Sequence, residues 1–385
     1  MIEIKEKHNC CGCEACSQTC PKHCIRMRED EEGFCYPEVI KVNCVECQLC
    51  EMVCPMRANV TQQVQEVELK SYIAFSEDES IRLASSSGGL FSVCAKKILR
   101  ENGVVFGAAF DEDFMVHHIV IDCEEQLKLL QGSKYLQSRI ENTYNDAENY
   151  LKEGKKVLFS GTPCQIAGLK RFLRKDWANL ITIDILCHGV PSPKVWYRYL
   201  KEQEEMYGGT VQQTFFRHKN YGWKKYALLL KFSNNKAYEN ILSKDRFMQF
   251  FLSNICLRPA CYFCQFKEIP HPSDITLGDC WGVEQHSPEM DDDKGTSVVI
   301  VNSPIGKELF ESISDGLITK EMPLDIVLPV DAESRNSVEA HCNRNKFFAQ
   351  LNGGERTSIL LKLIKPGFFR KVMNKLLHIK TKVMN

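Results

Sequence analysis

The sequence predicts a small α+β domain at the amino end, followed by a larger α/β body that contains a parallel βαβ unit. Residues 8–24 hold six cysteines, and a similar cysteine run begins at Cys44. Between residues 155 and 208 the pattern is strand, helix, strand, helix, which indicates parallel strands. The 385 residues, 44% of them hydrophobic, are enough for two or three domains with a sizeable core.

The 20 cysteines are interpreted as metal ligands rather than as disulfides. A chain with a core of this size does not need disulfide bonds. Its first residues, MIEIKEKHN, lack the apolar part of a secretory signal, so a reducing cytoplasm is the expected compartment. No apolar run reaches the roughly 18 residues of a membrane helix. The net charge of -1 predicts no bulk affinity for nucleic acid.

Both cysteine runs have the spacing C-x2-C-x2-C-x3-C-P, which is typical of a two-cluster bacterial ferredoxin. Three thiolates on one tight loop hold three corners of a 4Fe-4S cube, and the fourth cysteine closes the other cube. One cluster is expected on Cys10, Cys13, Cys16 and Cys54. The other cluster is expected on Cys20, Cys44, Cys47 and Cys50. The first domain is therefore predicted to be ferredoxin-like and to carry single electrons.

Zinc is the alternative occupant of the two runs. Zinc sites use two-cysteine knuckles and would leave one thiolate of each run unused, which favours the iron-sulfur interpretation. Cys11, Cys24 and Cys35 fall outside the spacing and are interpreted as small buried hydrophobes.

A serine-glycine segment, residues 85–89, precedes a predicted helix that begins near Leu90 and stops at Gly103. Small residues at a helix N-terminus let backbone N–H groups converge on a phosphate. An ordinary serine cap followed by a glycine turn explains the same residues. A second small-residue loop, QGSKYLQS, contains Lys134, which either meets a phosphate or reduced flavin or is an exposed lysine.

The βαβ pattern consists of the strand KKVLFSGTPC, the helix QIAGLKRFLRK and the strand NLITIDILCHG. Ligands bind beyond the carboxyl ends of such strands, where Cys164 and Cys187 fall. Cys261 and Cys264 form a two-ligand knuckle that these two cysteines would complete. The competing interpretation is a zinc site on Cys256, Cys261, Cys264 and Cys280.

Several stretches resemble the beta subunits of coenzyme F420 hydrogenases and dehydrogenases. Besides the two cysteine runs, they are SSSGGLFS, GSKYLQS, GTPCQIAGLK, CHGVPSP and LRPACYFCQFK with SDITLGDCWG. The resemblance implies an iron-sulfur flavoprotein that binds FAD. It implies a flavin site lined by Ser86, Ser87, Gly88, Gly89, Gly132, Ser133 and Lys134. It further implies a third 4Fe-4S cluster on Cys164, Cys187, Cys261 and Cys264.

The family resemblance identifies cofactors better than substrate. Because Cys256 and Cys280 depart from the family pattern, the fourth ligand of the third cluster is open between Cys164 and these two. No GxGxxG motif follows a strand, which argues against a Rossmann site for NAD. His188 is a candidate proton donor at the flavin, with Lys134 as a second catalytic candidate. The alternative for His188 is a histidine satisfied by backbone in a turn.

The favoured hypothesis is a cytoplasmic oxidoreductase that passes electrons between ferredoxin-type clusters and a small-molecule substrate through FAD. Its expected partner is ferredoxin or another redox protein. A second hypothesis is an electron-transfer subunit that has no substrate site and connects a partner enzyme to ferredoxin. A third hypothesis is a zinc-rich interaction module.

Four parts of the chain are predicted: a ferredoxin-type domain (1–62), a flavin-binding part (63–150), a catalytic part with the third cysteine group (151–335) and a basic tail (336–385). From His341 onward there are ten Lys or Arg and one acid, Glu355. The tail is expected to form a partly amphipathic helix that docks on a partner protein or an anionic membrane surface. Alternatively, it covers the protein's own core.

Overall fold

The computed structural model describes residues 1–57, 69–330, 332 and 334–364. Within them the strands are β1 (Ile25–Glu29), β2 (Cys35–Val39), β3 (Lys70–Ser76), β4 (Val104–Phe110), β5 (Val116–Ile121), β6 (Val157–Gly161), β7 (Leu180–Ile185), β8 (Val211–His218), β9 (Ala227–Phe232), β10 (Ala237–Ile241), β11 (Ile275–Asp279), β12 (Ser297–Val301) and β13 (Leu317–Glu321).

The helices in the same residues are α1 (Ala15–Gln18), α2 (Leu49–Met52), α3 (Glu79–Ala84), α4 (Leu90–Arg100), α5 (Leu127–Leu130), α6 (Thr143–Lys152), α7 (Pro163–Leu173), α8 (Pro193–Tyr207), α9 (Arg246–Leu252), α10 (Val283–His286), α11 (Pro304–Ser312), α12 (Leu324–Val327), α13 (Arg344–Asn352) and α14 (Thr357–Leu360). Short 3-10 turns lie at Lys7–Asn9, Lys41–Asn43, Glu124–Gln126, Pro259–Phe263, Pro288–Met290, Ser314–Gly316 and Leu361–Leu363.

The body is built on one mixed sheet with the strand order β13-β3-β12-β11-β7-β6-β4-β5. The four central strands β11, β7, β6 and β4 pair in parallel, and the strands outside them pair antiparallel. The α/β body with parallel pairs is thus confirmed. Strands from residues 63–150 and from 151–335 contribute to this single sheet. The carboxyl ends of the four parallel strands therefore meet at one edge.

The βαβ unit β6-α7-β7 lies at the centre of this sheet. Strand β6 is a short apolar run, as expected for a parallel strand covered on both faces. Helix α7 starts immediately after it because Thr162 and Gln165 form a capping box and Pro163 occupies the first helical position. This tight connection places Cys164 in the first turn of α7, directly above the end of β6.

The amino-terminal residues 1–57 repeat one local structure twice around the hairpin β1-β2. In each repeat a one-turn helix, α1 or α2, begins inside a cysteine run. The residues before these helices, Glu14 and Gln48, both have left-handed backbone, with φ of 60° and 61°. The carboxylate of Glu14 ties the first repeat to the body, since it accepts from Arg139 Nε at 2.6 Å and from the backbone N–H of Glu141 at 3.0 Å.

A second, antiparallel sheet, β10-β9-β8, packs with helices α8, α9 and α13 in another apolar core. Residues 344–364 lie on this core: Phe347, Phe348, Leu351 and Leu360 are buried in it. The described part of the basic tail thus covers the protein's own core. The membrane or partner contact expected of the tail falls mainly on residues 365–385, which lie outside the described residues.

Helix α4 ends at Arg100, earlier than the stop expected at Gly103. Asn102 takes the left-handed conformation that ends the helix, with φ of 58°, and Gly103 follows it into β4. Asparagine tolerates this conformation better than most residues, so the glycine is not needed for it. Gly103 is instead confined by packing, because an added Cβ would lie 2.6 Å from Ile98 Cγ2.

Candidate functional site

The structure brings together Cys10, Cys13, Cys16 and Cys54, here called the first-run set. Burial raises the pKa of Cys16 well above its usual range, and charge at Cys10 and Cys54 raises it further. Charge at Cys10 likewise raises the pKa of Cys54. Cys54 therefore lies near Cys10 and Cys16, and charge at Cys50 of the second run also raises the pKa of Cys16. The division of these cysteines into two ligand sets stays a prediction.

Cys20, Cys44, Cys47 and Cys50, here called the second-run set, line a different cavity together with Cys24. Cys24 Sγ lies 3.4 Å from Cys20 Sγ, so this residue, interpreted from sequence as a buried hydrophobe, also adjoins the set. The backbone N–H of Ile2 donates a hydrogen bond to Cys50 Sγ at 3.3 Å. Unlike the first-run set, this set reaches the surface through the exposed Cys47.

Cys164, Cys187, Cys261 and Cys264, here called the inner set, all line one apolar cavity beyond the ends of β6 and β7. The backbone N–H of Val190 donates to Cys261 Sγ at 3.4 Å, and Thr162 Oγ1 lies 3.2 Å from Cys164 Sγ. Lys267 Nζ donates to the carbonyl of Cys187 at 2.6 Å. Four thiols converging on one cavity have the donor chemistry of a 4Fe-4S site.

The competing zinc set is not brought together. Cys256 is fully buried in the core beside α8 and α9, whereas Cys280 packs with Ile73 and Trp223 in a different apolar cluster. Neither residue lines the cavity of the inner set. Among the described residues, no three His, Cys, Asp or Glu side chains are grouped tightly enough to hold a single metal ion. Single-ion sites draw their ligands to about 2.3 Å from one centre, whereas the corners of a cube are further apart.

Cys11 adds a fifth thiol to the inner cavity. A contact with Cys13 raises the pKa of Cys11 and a contact with Cys164 lowers it, so this side chain lies between the first-run and inner sets. The sequence-based interpretation of Cys11 as a buried hydrophobe agrees with its exposure of 7%. That interpretation does not account for its position between the two cysteine sets. The sequence held no signal for it, because Cys11 and Cys164 meet only when the amino-terminal residues dock on α7.

The two loops expected to bind flavin are in contact with each other. Ser86 Oγ accepts from the backbone N–H of Ser133 at 2.6 Å and from Ser133 Oγ at 2.7 Å. Lys134 Nζ donates to the carbonyls of Gln131 and Gly132 at 3.0 and 3.3 Å. Burial lowers the pKa of Lys134 to about 7. The loops thus join several hydroxyls and one partly buried amine beside the N-terminus of α4.

The glycines of these loops have different roles. An added Cβ at Gly88 would lie 2.4 Å from the carbonyl oxygen of Ala74, so this glycine is required for packing against β3. Gly89 has φ of 92° and lies at the start of α4, with Ile81 Cγ2 3.0 Å from an added Cβ. Gly132, with φ of 78°, faces open space. Only Gly132 leaves room beside its backbone for a bound group.

His188, the candidate proton donor, lines the inner cavity but is held in place. Its Nε2 lies 2.6 Å from Asn254 Oδ1, and its ring packs edge-on against Phe251 with centroids 5.0 Å apart. His271, which sequence reasoning did not single out, lines the same cavity, and its Nδ1 lies 3.0 Å from Asp184 Oδ1. Asp184 lies in strand β7, three residues before Cys187. The end of this strand therefore supplies Cys187 to the cavity and a hydrogen-bond partner to His271.

Residues 154–325 match the model of a family described as the C terminus of the coenzyme F420 hydrogenase/dehydrogenase beta subunit. The match covers less than half of the chain. The resemblance to this family of redox-enzyme subunits is thereby confirmed over residues 154–325, whereas the fused ferredoxin domain stays a prediction. The matched residues include all four cysteines of the inner set, whereas both ferredoxin-like runs and both serine-glycine loops precede the match.

Among solved structures, the chain is similar to a chain of the F420-reducing [NiFe] hydrogenase complex from Methanosarcina barkeri in a xenon-derivatised form. The two are 17% identical, with a TM-score of 0.47, over 73% of this chain and 91% of that chain. A search of curated protein sequences found no match. Of the helices in the described residues, none is long and apolar enough to cross a membrane.

Proposed function

We propose that this protein is a cytoplasmic iron-sulfur flavoprotein oxidoreductase that passes electrons between a redox partner protein and a small-molecule substrate through bound FAD. When bound, 4Fe-4S clusters carry single electrons and a flavin couples them to two-electron chemistry. The observation that carries the proposal is the convergence of Cys164, Cys187, Cys261 and Cys264 on one cavity beside a second cysteine group.

In this proposal residues 1–62 form a ferredoxin-like domain. The crossed grouping, with Cys54 in the first-run set and Cys20 in the second-run set, supports two cubes that share the two runs. Cys11 contacts both Cys13 and Cys164, so the first-run set is adjacent to the inner set. The second-run set reaches the surface at Cys47. We therefore infer an order from the second-run set through the first-run set to the inner set, with ferredoxin or another redox protein meeting the second-run set.

The contact between Ser86 and Ser133 supports a flavin site, because it holds the two serine-glycine loops together. Lys134 supplies a cation for phosphate, and Gly132 leaves open space beside it. The segment 131–138 also connects this region to the inner set, because Gln137 Nε2 donates to the carbonyl of Cys11 at 2.9 Å. One continuous stretch of chain therefore touches both the proposed flavin loops and the wall of the inner cavity.

A second candidate function is an electron-transfer subunit that passes electrons onward to a partner enzyme. It is favoured by the family description, which names a beta subunit. The two functions differ in whether the purified chain alone turns over a small electron acceptor at its flavin. Turnover of a flavin-reactive acceptor by the isolated chain supports the first, and turnover only with an added enzyme subunit supports the second.

The decisive experiment is iron and flavin analysis of anaerobically purified protein. Three cubes require about 12 irons per chain, together with flavin absorbance. Cys187→Ser and Cys261→Ser should each lower the iron content to about 8. The matched control is Cys280→Ser, which lies outside the inner cavity and should retain about 12. About 8 irons in the wild type, or zinc in the inner set, would contradict the assignment.

The flavin part has its own test through Lys134. Because burial lowers its pKa to about 7, its charge is present below that pH and lost above it. A phosphate-bearing cofactor should therefore bind more weakly as the pH rises from 6 to 8. Lys134→Met should weaken FAD binding roughly tenfold or more at pH 6 and remove the pH dependence, while iron content stays unchanged. FAD titrations followed by fluorescence measure both effects, and unaltered binding would remove Lys134 from the site.

A further inference from the structure

Arg258 is buried between the first-run and inner sets, with 1% of its surface exposed. Its Nε donates to the carbonyl of Cys10 at 2.8 Å, and its Nη2 lies 3.5 Å from Cys10 Sγ. Nη2 also donates to the carbonyl of Cys35 at 3.0 Å. The same side chain lines the cavity of the inner set. One guanidinium therefore faces both cysteine groups.

No carboxylate compensates this charge among the described residues. Its remaining hydrogen bond runs from Nη1 to Gln137 Oε1 at 2.8 Å, so its partners are neutral oxygens and a sulfur. The other buried arginines are each paired with an acid, Arg82 with Asp292 and Arg217 with Asp279. The partly buried Arg344 is likewise paired with Glu32. A buried unpaired cation is costly, so it is expected only where negative charge is to appear nearby.

The surroundings of Arg258 hold the cation without neutralising it. The guanidinium lies over the ring of Tyr36 at 4.4 Å from the centroid, a contact that stabilises a cation through the ring quadrupole. The guanidinium lines the same cavity as Cys164 and Cys261, so its positive charge favours negative charge at that end of the site.

We propose that Arg258 raises the reduction potentials of the clusters held by the first-run and inner sets. The inference rests on the proposed function, since it requires both clusters. When an electron passes from the first-run cluster to the inner cluster, the first is oxidised by one electron and the second is reduced by one, with no proton transferred. A fixed positive charge stabilises the more negative, reduced form of whichever cluster holds the electron.

The second-run set provides an internal reference. None of the hydrogen bonds of Arg258 reaches a residue of that set, whose cysteines line a separate cavity. The charge should therefore act on two of the three clusters. A general loosening of the protein would instead shift the second-run cluster as well.

The test compares Arg258→Gln with Arg258→Lys in the full chain, purified without oxygen. Both substitutions lose the planar fork of donors, but only lysine keeps the charge. Redox titrations followed by electron paramagnetic resonance give the potential of each cluster. In Arg258→Gln the equilibrium constant for reducing the first-run and inner clusters should fall at least about tenfold, which corresponds to about 59 mV for one electron. In Arg258→Lys most of this loss should be absent, and the second-run potential should be unchanged in both variants.

Several outcomes would overturn the inference. Equal potentials in the lysine and glutamine variants, or an equal shift of all three clusters, would show that the charge is not responsible. Loss of iron from both variants would assign Arg258 the structural role of holding the Cys10 loop. These results differ from a failure of the proposed function, in which the wild type itself would lack the inner cluster and contain about 8 irons.

Discussion

The two cysteine runs have the same spacing and the same local backbone, but their surroundings are opposite. Cys13 of the first run is 7% exposed and packs against α7, where a Cβ added at Gly168 would lie 2.9 Å from Cys13 Cβ. Its counterpart in the second run, Cys47, is exposed. Likewise Cys11 faces the inner cavity, whereas the corresponding residue, Val45, is 56% exposed. A sequence repeat thus determines local structure, and docking determines which copy faces the body and which faces solvent.

This asymmetry gives the proposed electron path a direction. A partner protein can approach the second-run set, where Val42 and Met52 are also exposed. The first-run set is covered by the body and adjoins the inner set. In the proposed path, the same motif would therefore be the entry point in one copy and an internal relay in the other.

The largest difference is expected between Cys13→Ser and Cys47→Ser. Both should remove one cluster, about four irons. Cys13→Ser also buries a hydroxyl in a closely packed site, which should lower the free energy of unfolding by about 1–3 kcal/mol if the hydroxyl finds no hydrogen-bond partner. The same substitution should interrupt electron transfer to the flavin. Cys47→Ser should leave thermal stability closer to the wild type and leave the first-run and inner clusters reducible by a small chemical reductant. Similar melting temperatures for the two variants would contradict the asymmetry.

Iron removal should follow the same order. A chelator presented to the native protein reaches the second-run set first, at the exposed Cys47, so about four of about 12 irons should leave in a faster phase. The irons of the first-run set should leave more slowly, because Cys13, Cys16 and Cys54 are buried. Iron release followed by absorbance measures the phases. Repeating it with Cys47→Ser, which should lack the fast phase, identifies its source.

Cys11→Val makes the first run resemble the second at this position. Because Cys11 is outside the four expected ligands of either adjacent set, iron should stay at about 12 per chain. Valine is of similar size, so the melting temperature should change little. The loss of a thiol between the two sets should leave the cluster potentials nearly unchanged. A fall to about 8 irons would instead make Cys11 a ligand of the inner cluster.

The smallest effect is expected for Val45→Glu, on the exposed counterpart of Cys11. An added negative charge near the second-run set should change the second-order rate of reduction by a protein donor several-fold, in a direction set by the donor's charge. Iron content and stability should remain those of the wild type, because the side chain is solvent-exposed. Stopped-flow reduction at low and high salt checks this, and an effect independent of salt would argue against docking at this surface.

The sequence allowed much of the site to be predicted, for physical reasons that differ among its parts. Cysteine spacing indicated that three thiols of each run lie close together, because local geometry determines how they lie on one loop, and the crossed ligand sets stay a prediction. Cys164 and Cys187 were expected to lie close together because they follow adjacent parallel strands, β6 and β7, which end at the same edge of the sheet.

Contacts between distant segments were not predictable in this way. Cys11 meets Cys164, and Arg258 meets Cys10, only after the amino-terminal residues dock on the body. Gly88 was interpreted as a site of phosphate approach, but the space beside it is filled by β3. Such roles depend on which surfaces meet, and neither periodicity nor spacing records that.

The covering of Cys13 by α7 also bears on how the protein would acquire and keep the proposed clusters. Cluster insertion requires access to deprotonated thiols, so we expect the first-run and inner sets to be filled before the amino-terminal residues close over them. The second-run set stays reachable afterwards. Oxidative loss of that cluster should be repairable on the folded protein, whereas replacing either covered cluster would require the domain to undock. We therefore expect the outermost cluster to be renewed many times during the life of one molecule, and the others to be installed once.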